Sequence, residues 1–399
     1  MTARAALPRT VIALGLVSLF TDLSSEMIYP LLPAFLATVL AAGALELGLI
    51  EGVAESTAAI LKLVSGLWTD RVGRRKPFVL GGYGLSGLVR PLIGLAGAWP
   101  VVLLLRFGDR VGKGLRTSPR DALIADAVDP AIRGRAYGFH RAMDHLGAVL
   151  GPLLAAGLMA LGMGLRGVFL LAVVPGLVVL GLILLGVREA PTLAPRERGP
   201  SLGSWAGLGP GFHRVLAVVV LFTLGNSTDA FLLLRLGDLL GQGEVRGALS
   251  WVALLWSAHH VVKLLATYAG GRLSDRLGRR GMIIAGWLVY AAVYSAFAWV
   301  DSAVPAVVVF LLYGVYFGLT EPVEKAWVAD LVPAGLRGTA FGYYHGAVGL
   351  AALPASLLFG ALWKLFGVAA AFGTGAALAG LSALLLAVLP VRAAAREAA

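Results

Sequence analysis

Apolar runs of roughly 20 residues, the length a helix needs to cross a bilayer core, follow one another along this chain with only short polar gaps between them. Breaks at charged, Gly-rich or Pro-rich positions divide it into about twelve spans, near 12–38, 45–68, 77–97, 100–124, 136–161, 166–187, 212–235, 248–271, 281–300, 303–328, 338–363 and 367–389. With 58% hydrophobic and 14% charged residues and a mean hydropathy of +0.85, the chain lies far from soluble domains, in which about a quarter of residues are charged. Little sequence is left for a soluble module.

The net charge of +11 is not gathered into a basic patch with interleaved aromatics. Nucleic acid is therefore not an expected partner. The cations cluster instead at the ends of apolar runs and in alternate gaps: the N-terminus, 71–76, 133–135, 188–198, 276–280, Arg337 and 392–396. Lys and Arg concentrate in cytoplasmic loops. An even number of spans then places both termini in the cytoplasm, in a multi-pass protein of the cell (inner) membrane. Arg4 and Arg9 precede the first run as in a signal peptide, but no short apolar region with a small-residue cleavage site follows, so that run reads as a retained span. There are no cysteines, which removes disulfides and thiolate metal sites.

A duplication organises the spans. Gly66-Leu-Trp-Thr-Asp70-Arg71-Val-Gly73-Arg74-Arg75-Lys76 lies in the gap after the second span, and Gly271-Arg-Leu-Ser-Asp275-Arg276-Leu-Gly278-Arg279-Arg280 lies in the gap after the eighth. Pro119 and Pro322, and Asp126 and Asp330, repeat at nearly the same offset, as does Arg133-Gly134-Arg-Ala-Tyr-Gly138 in Arg337-Gly338-Thr-Ala-Phe-Gly342. The expected fold is an all-α integral membrane protein of two six-helix bundles, related by a pseudo-two-fold axis along the membrane normal. Residues 1–188 form one bundle and 212–399 the other. Residues 189–211, rich in Pro, Gly, Arg and Glu, form a cytoplasmic linker.

The two hinges resemble the loops between helices two and three and between helices eight and nine of the major facilitator superfamily. Arg110-Val-Gly-Lys113-Gly114 resembles the Arg-centred motif of its proton-coupled branches, with Lys113 where Gln is common. Gly147-x-x-x-Gly151-Pro152 resembles the Gly-Pro motif of the twelve-helix drug/proton antiporters, with Ala155 and Ala156 where further glycines are usual. The resemblance covers essentially the whole chain. It implies a secondary transporter working by alternating access, monomeric, with a small-molecule substrate and protons as partners in a lipid bilayer.

The residues support a site reading of their own. Asp22 and Glu26 share one helical face in the first span, before Pro30 and Pro33, and ionisable groups inside a span are functional candidates. They are the proton-coupling candidates, and the resemblance implies that Arg110 modulates their proton affinity. Arg106, Asp109, Arg110, Lys113, Arg116 and Arg120 fall within an arc of about 120° on the fourth span. Facing lipid would cost each cation at least about 3 kcal/mol near the bilayer centre, so the stripe must turn inward. Lys113 and Arg116, with Asp144, Asp229, Glu321 and Glu324, are the substrate-binding candidates. Asp144 is expected to neutralise a cation of the fourth span, Glu55 to pair with Lys62, and Glu321 with Lys325 one turn along its own helix. At the hinges, Asp70 can cap a neighbouring helix and the arginines can pair with acids such as Asp126. The gating candidates are Asp70, Arg71, Arg74, Asp126, Asp275, Arg276, Arg279 and Asp330.

His259 and His260 diverge by about 100° and lack a zinc-binding pattern, so no metal is expected. No phosphate-binding loop is present, so neither ATP nor any other cofactor is implied, and no catalytic constellation stands out. The expected function is proton-coupled antiport exporting a small organic solute. The alternative is import or exchange of organic anions such as sugar phosphates or carboxylates.

Overall fold

Hydrocarbon offers backbone groups no partner, so a spanning segment must satisfy its own N–H and C=O groups. The computed structural model, which describes residues 6–42, 44–189, 202–226, 229, 231–232, 235–236, 239 and 245–390, is accordingly helical, with no strand among the described residues. The first span is broken. Helix α1 (Arg9–Glu26) gives way at Pro30 to a 3-10 turn and resumes as α2 (Leu32–Val39). Then come α3 (Ala44–Val72), α4 (Lys76–Val89), α5 (Trp99–Asp126) and α6 (Arg133–Ala160), and a sixth span split into α7 (Leu165–Leu171) and α8 (Val173–Gly186). The second half holds α9 (Gly209–Gly225), α10 (Val245–Leu277), α11 (Arg279–Trp299), α12 (Ala303–Leu331), α13 (Arg337–Phe366) and α14 (Val368–Val388).

Eight helical stretches among the described residues are long and apolar enough to cross a membrane. Charged α3 and α5 are not among them, because each turns a charged face to the interior and only its other face outward. In α5 the side chains of Arg106, Asp109, Arg110, Arg116 and Arg120 are buried, while Val101, Leu104 and Phe107 face outward. The stripe turns inward, as its cost in lipid requires. Leucines and valines on the rims of other helices, such as Leu185, Leu312 and Leu353, supply the lipid-facing surface.

Within the first half α1 packs along α6, and α3 and α4 along α5; within the second, α10 packs along α12, and α11 along α12 and α14. Two long crossings join the halves, α3 with α13 and α10 with α6. They are equivalent under the repeat. Tail-to-tail lipid contacts give helices little reason to associate, so close backbone approach at small residues does that work. A Cβ on Gly66 would lie 2.2 Å from the Gly338 carbonyl oxygen, and one on Gly271 would lie 2.3 Å from that of Gly134. Each hinge ends its helix at a glycine with positive φ, Gly73 (69°) and Gly278 (86°), a conformation that strains any side chain with a Cβ.

The interval 189–211, expected as a linker, lies largely outside the described residues, as do the basic stretch 392–396 and the chain ends. Its described tail is a 3-10 segment, Leu202–Leu208, and α9 starts at Gly209, three residues before the expected second bundle.

Candidate functional site

The acids and cations singled out in the hinges meet at one end of the helix bundle. Asp70, at the end of α3, accepts the backbone N–H groups of Gly338 (3.1 Å) and Thr339 (2.6 Å) at the start of α13. In the other half Asp275, near the end of α10, accepts those of Gly134 (2.9 Å) and Arg135 (2.8 Å) at the start of α6. A carboxylate satisfies orphan N–H groups there and complements the positive helix end. Each cap spans the two halves. Beside them, Arg337 pairs with Asp126 and Arg133 with Asp330, both at 2.5 Å and both across the halves.

The arginine that completes each cluster differs between the copies. Arg279 reaches Asp275 (2.6 Å) and Asp330 (3.2 Å), whereas in the first half it is Arg75, not Arg74, that pairs with Asp70 (3.3 Å) and Asp126. Helix α11 starts directly at Arg279 after Gly278, while α4 starts only at Lys76 with Arg75 as its N-cap. The role therefore slips by one residue, and Arg71, Arg74 and Arg276 are exposed.

Above this closed face a cavity of about 410 Å³ lies between the halves. Asp22, Lys113, Arg116, Asp144, Glu321 and Glu324 are on its wall, whereas Glu26, Arg110 and Asp229 are not. Asp22 and Glu26 sit where α1 crosses α6: a Cβ on Gly147 would lie 3.0 Å from that of Asp22, and one on Gly151 2.7 Å from that of Glu26. The Gly-Pro motif of the fifth span is thus the groove that receives both carboxylate-bearing residues. Asp229 accepts a hydrogen bond from Tyr313 (2.9 Å) and faces Lys263 (3.3 Å).

Three expected pairings are replaced by others. Glu321 pairs with Arg141 of α6 (2.5 Å), and Lys325 with Asp121 of α5 (2.9 Å), so each reaches the opposite half instead of its helical neighbour. Asp144 pairs with Arg141 on its own helix (2.7 Å) and not with a cation of α5. Glu55 forms its ion pair with Arg110 (3.4 Å), while Lys62 feels its charge without an ion pair. For Glu321, Lys325 and Glu55 a second helix supplies the partner, whereas Asp144 keeps to its own helix.

The residues that sequence reading passed over are the partners themselves. Asp121, fully buried, holds Arg120 (2.9 Å), Lys325 and His345 (2.8 Å), drawing α5, α12 and α13 together. Arg90 binds Asp109 (2.8 Å) and the Thr21 carbonyl (3.0 Å), fixing α4 against α5 and α1. Two further wall groups are occupied by neutral partners. Arg116 donates to Ser86 (2.7 Å) and lies over the Tyr83 ring, and Glu324 accepts from Tyr344 (2.5 Å). No cluster suited to a metal ion occurs among the described residues.

Comparisons with known proteins agree with this geometry. A family model described as the Major Facilitator Superfamily matches residues 14–258 and 242–399. The uncharacterized MFS-type transporter MJ1317 of Methanocaldococcus jannaschii is 34% identical over 380 residues, covering 95% of this chain and 94% of that protein. The uncharacterized protein Mb2288 of Mycobacterium bovis is 30% identical over 366 residues, covering 90% and 87%. Among solved structures, the human organic anion transporter MFSD10 (TETRAN) superposes with a TM-score of 0.79 at 22% identity, over 95% of this chain and 99% of that one. The E. coli fucose:proton symporter FucP gives 0.75 at 12%, over 94% and 97%. At such identities the likeness to these two is one of fold.

Proposed function

Because the chain belongs to the major facilitator superfamily and is therefore a multi-pass membrane transporter, we propose that it works by alternating access as a proton-coupled antiporter exporting a small organic solute. The observation that carries this reading is the pair of symmetry-related carboxylate caps. They close one face between the halves and leave a charged cavity behind it. Contacts of this kind cost little to re-form and can be broken together when two rigid halves rock.

In this reading residues 1–188 and 212–399 are the rocking bodies and 189–211 joins them. The hinge acids Asp70, Asp126, Asp275 and Asp330, with Arg75, Arg279, Arg133 and Arg337, gate the closed mouth. The Lys and Arg bias of that side supports a cytoplasmic orientation in an inner membrane, with both termini on that side, and the working unit is read as a monomer. Asp22 exchanges the proton: its carboxylate lines the cavity with no hydrogen bond or ion pair to a described side chain. Glu26, one turn away against Gly151, is its alternate, and Arg110, behind the wall on α5, tunes the pair. Lys113, Arg116, Glu321 and Glu324 set substrate choice.

The test uses purified protein in liposomes that enclose a pH-sensitive dye. Solute entering in exchange for protons raises the luminal pH. Solute uptake with no luminal pH change overturns antiport and leaves uniport or exchange. Asp22→Asn is expected to abolish the pH change while the protein still inserts.

A further inference from the structure

The cavity wall carries both signs of charge, and most of those charges are already matched. Arg120 and Lys325 share Asp121, Arg141 holds Asp144 and Glu321, and Arg116 is seated on Ser86 and the Tyr83 ring. Two wall cations remain: Lys62 and Lys113 form no hydrogen bond or ion pair through their ammonium groups with any described residue. The packing of α3 on α5 brings them together. A Cβ on Gly114 would lie 2.4 Å from that of Leu61, the Ser65 hydroxyl donates to the Gly114 carbonyl (2.8 Å), and the Ser118 hydroxyl donates to the Lys62 carbonyl (2.7 Å). Leu61 and Gly114 are the chain neighbours of Lys62 and Lys113, so the close seam delivers both ammonium groups to one side of the cavity. Glu55, on α3, is ion-paired with Arg110 (3.4 Å) and lends its charge to both lysines without an ion pair to either.

Two ammonium groups on one interior wall repel each other, and an anion seated between them would relieve that cost. The opposite wall is of another character. Phe222, Tyr316 and Phe317 present aromatic surface, flanked by Thr223, Asn226 and Thr320. We propose that the transported solute is an amphipathic organic oxyanion, its carboxylate or phosphate head seated between Lys62 and Lys113 and its apolar body against Phe222, Tyr316 and Phe317. This names the substrate class of the cavity and rests on the transporter reading above. A head on the first half and a body on the second ties the two walls together through the solute, which is what a carrier needs from its cargo during closure.

The test compares four probes with one aromatic body: benzoate, phenyl phosphate, benzyl alcohol and benzylamine. Each is titrated against the purified protein by thermal shift and by scintillation-proximity competition. At least one of the two acids is expected to bind, at least tenfold more tightly than the alcohol and the amine. Lys62→Gln and Lys113→Gln are each expected to weaken that acid at least tenfold, and Lys113→Arg to restore most of the loss, which separates lost charge from lost packing. Tighter binding of the alcohol or amine, equal binding of all four, binding of none, or acid binding unchanged in both Gln variants overturns the proposal. Flux in vesicles separates the two readings. A chain that carries neutral or cationic solutes but no acid keeps the transporter reading and loses this one. One that binds acids at Lys62 and Lys113 but moves nothing keeps the site and loses the transporter reading.

Discussion

Asp275→Ala removes one of the two caps that hold the closed face, and its effect can be worked from the contacts. The substitution deletes two charge-assisted hydrogen bonds, to Gly134 and Arg135 N–H, and the charge that faces the start of α6. It also removes one of the two carboxylates of Arg279, which keeps Asp330. Hydrogen bonds to charged groups are worth about 1.5–3 kcal/mol each, and a charge at a helix end about 0.3–1 kcal/mol. Opening lets water reach the freed N–H groups, which returns part of this, so a net loss of about 2–3 kcal/mol is expected on the closed state alone. That multiplies the open-to-closed ratio by roughly 30 to 150. The chain contains no cysteine, so paired spin labels can be introduced without first removing native ones. Val72→Cys and Leu277→Cys place them at exposed, repeat-related positions on the two sides of the face. Electron–electron resonance should give one short distance in this background and a second, longer population with Asp275→Ala or Asp70→Ala. If neither substitution changes the distance distribution while both proteins keep their thermal midpoint, the caps do not hold the face shut and the gating argument fails.

Other expectations are more direct. Gly271→Ala, which sets a methyl group 2.3 Å from the Gly134 carbonyl, should hinder closure and add the longer population in the same spin-label assay; an unchanged distance distribution would mean that closure does not need this close approach. Arg75→Ala should favour opening in the same spin-label assay, whereas Arg74→Ala should leave the distances as they are; the reverse order would reject the one-residue slip. Asp121→Asn strands Lys325 and Arg120 in the interior and should lower stability by about 3–5 kcal/mol. Adding Lys325→Met should return part of that loss, as read from melting of the detergent-solubilised protein, and strictly additive losses would remove the coupling.

How much of this could be read from the chain follows from what a helical pattern contains. The spacing of charges on α5 fixes which way that helix turns, because lipid would penalise any other rotation, and the stripe does face inward. The duplicated landmarks likewise mark Asp70 and Asp275 as equivalent positions. Pairings between helices are different. Arg141 and Glu321 lie 180 residues apart, and nothing in either neighbourhood says that α6 and α12 share a face. A partner one turn away on the same helix is what periodicity offers, and for Glu321 it offered Lys325. Asp121 escaped notice because it adjoins Arg120 in sequence and reads as a local pair, while its remaining oxygen serves two residues of the other half. The slip from Arg74 to Arg75 depends on where α4 begins, which repeat alignment cannot fix to one residue.

The cross-linked acids and bases also bear on how the molecule can be reversible. Glu321 and Lys325 each grip the opposite half, yet stand one turn apart; Arg141 has Asp144 one turn away, and Asp121 has Arg120 beside it. When the halves separate, each interior charge therefore has a resident understudy on its own helix. In the alternating-access reading Glu321 and Lys325 would exchange partners, Arg141 and Asp121 would keep the ones they already hold, and none would be stripped bare, which keeps the two ends of the stroke close in energy. A carrier driven by modest gradients has to run on such a nearly level track.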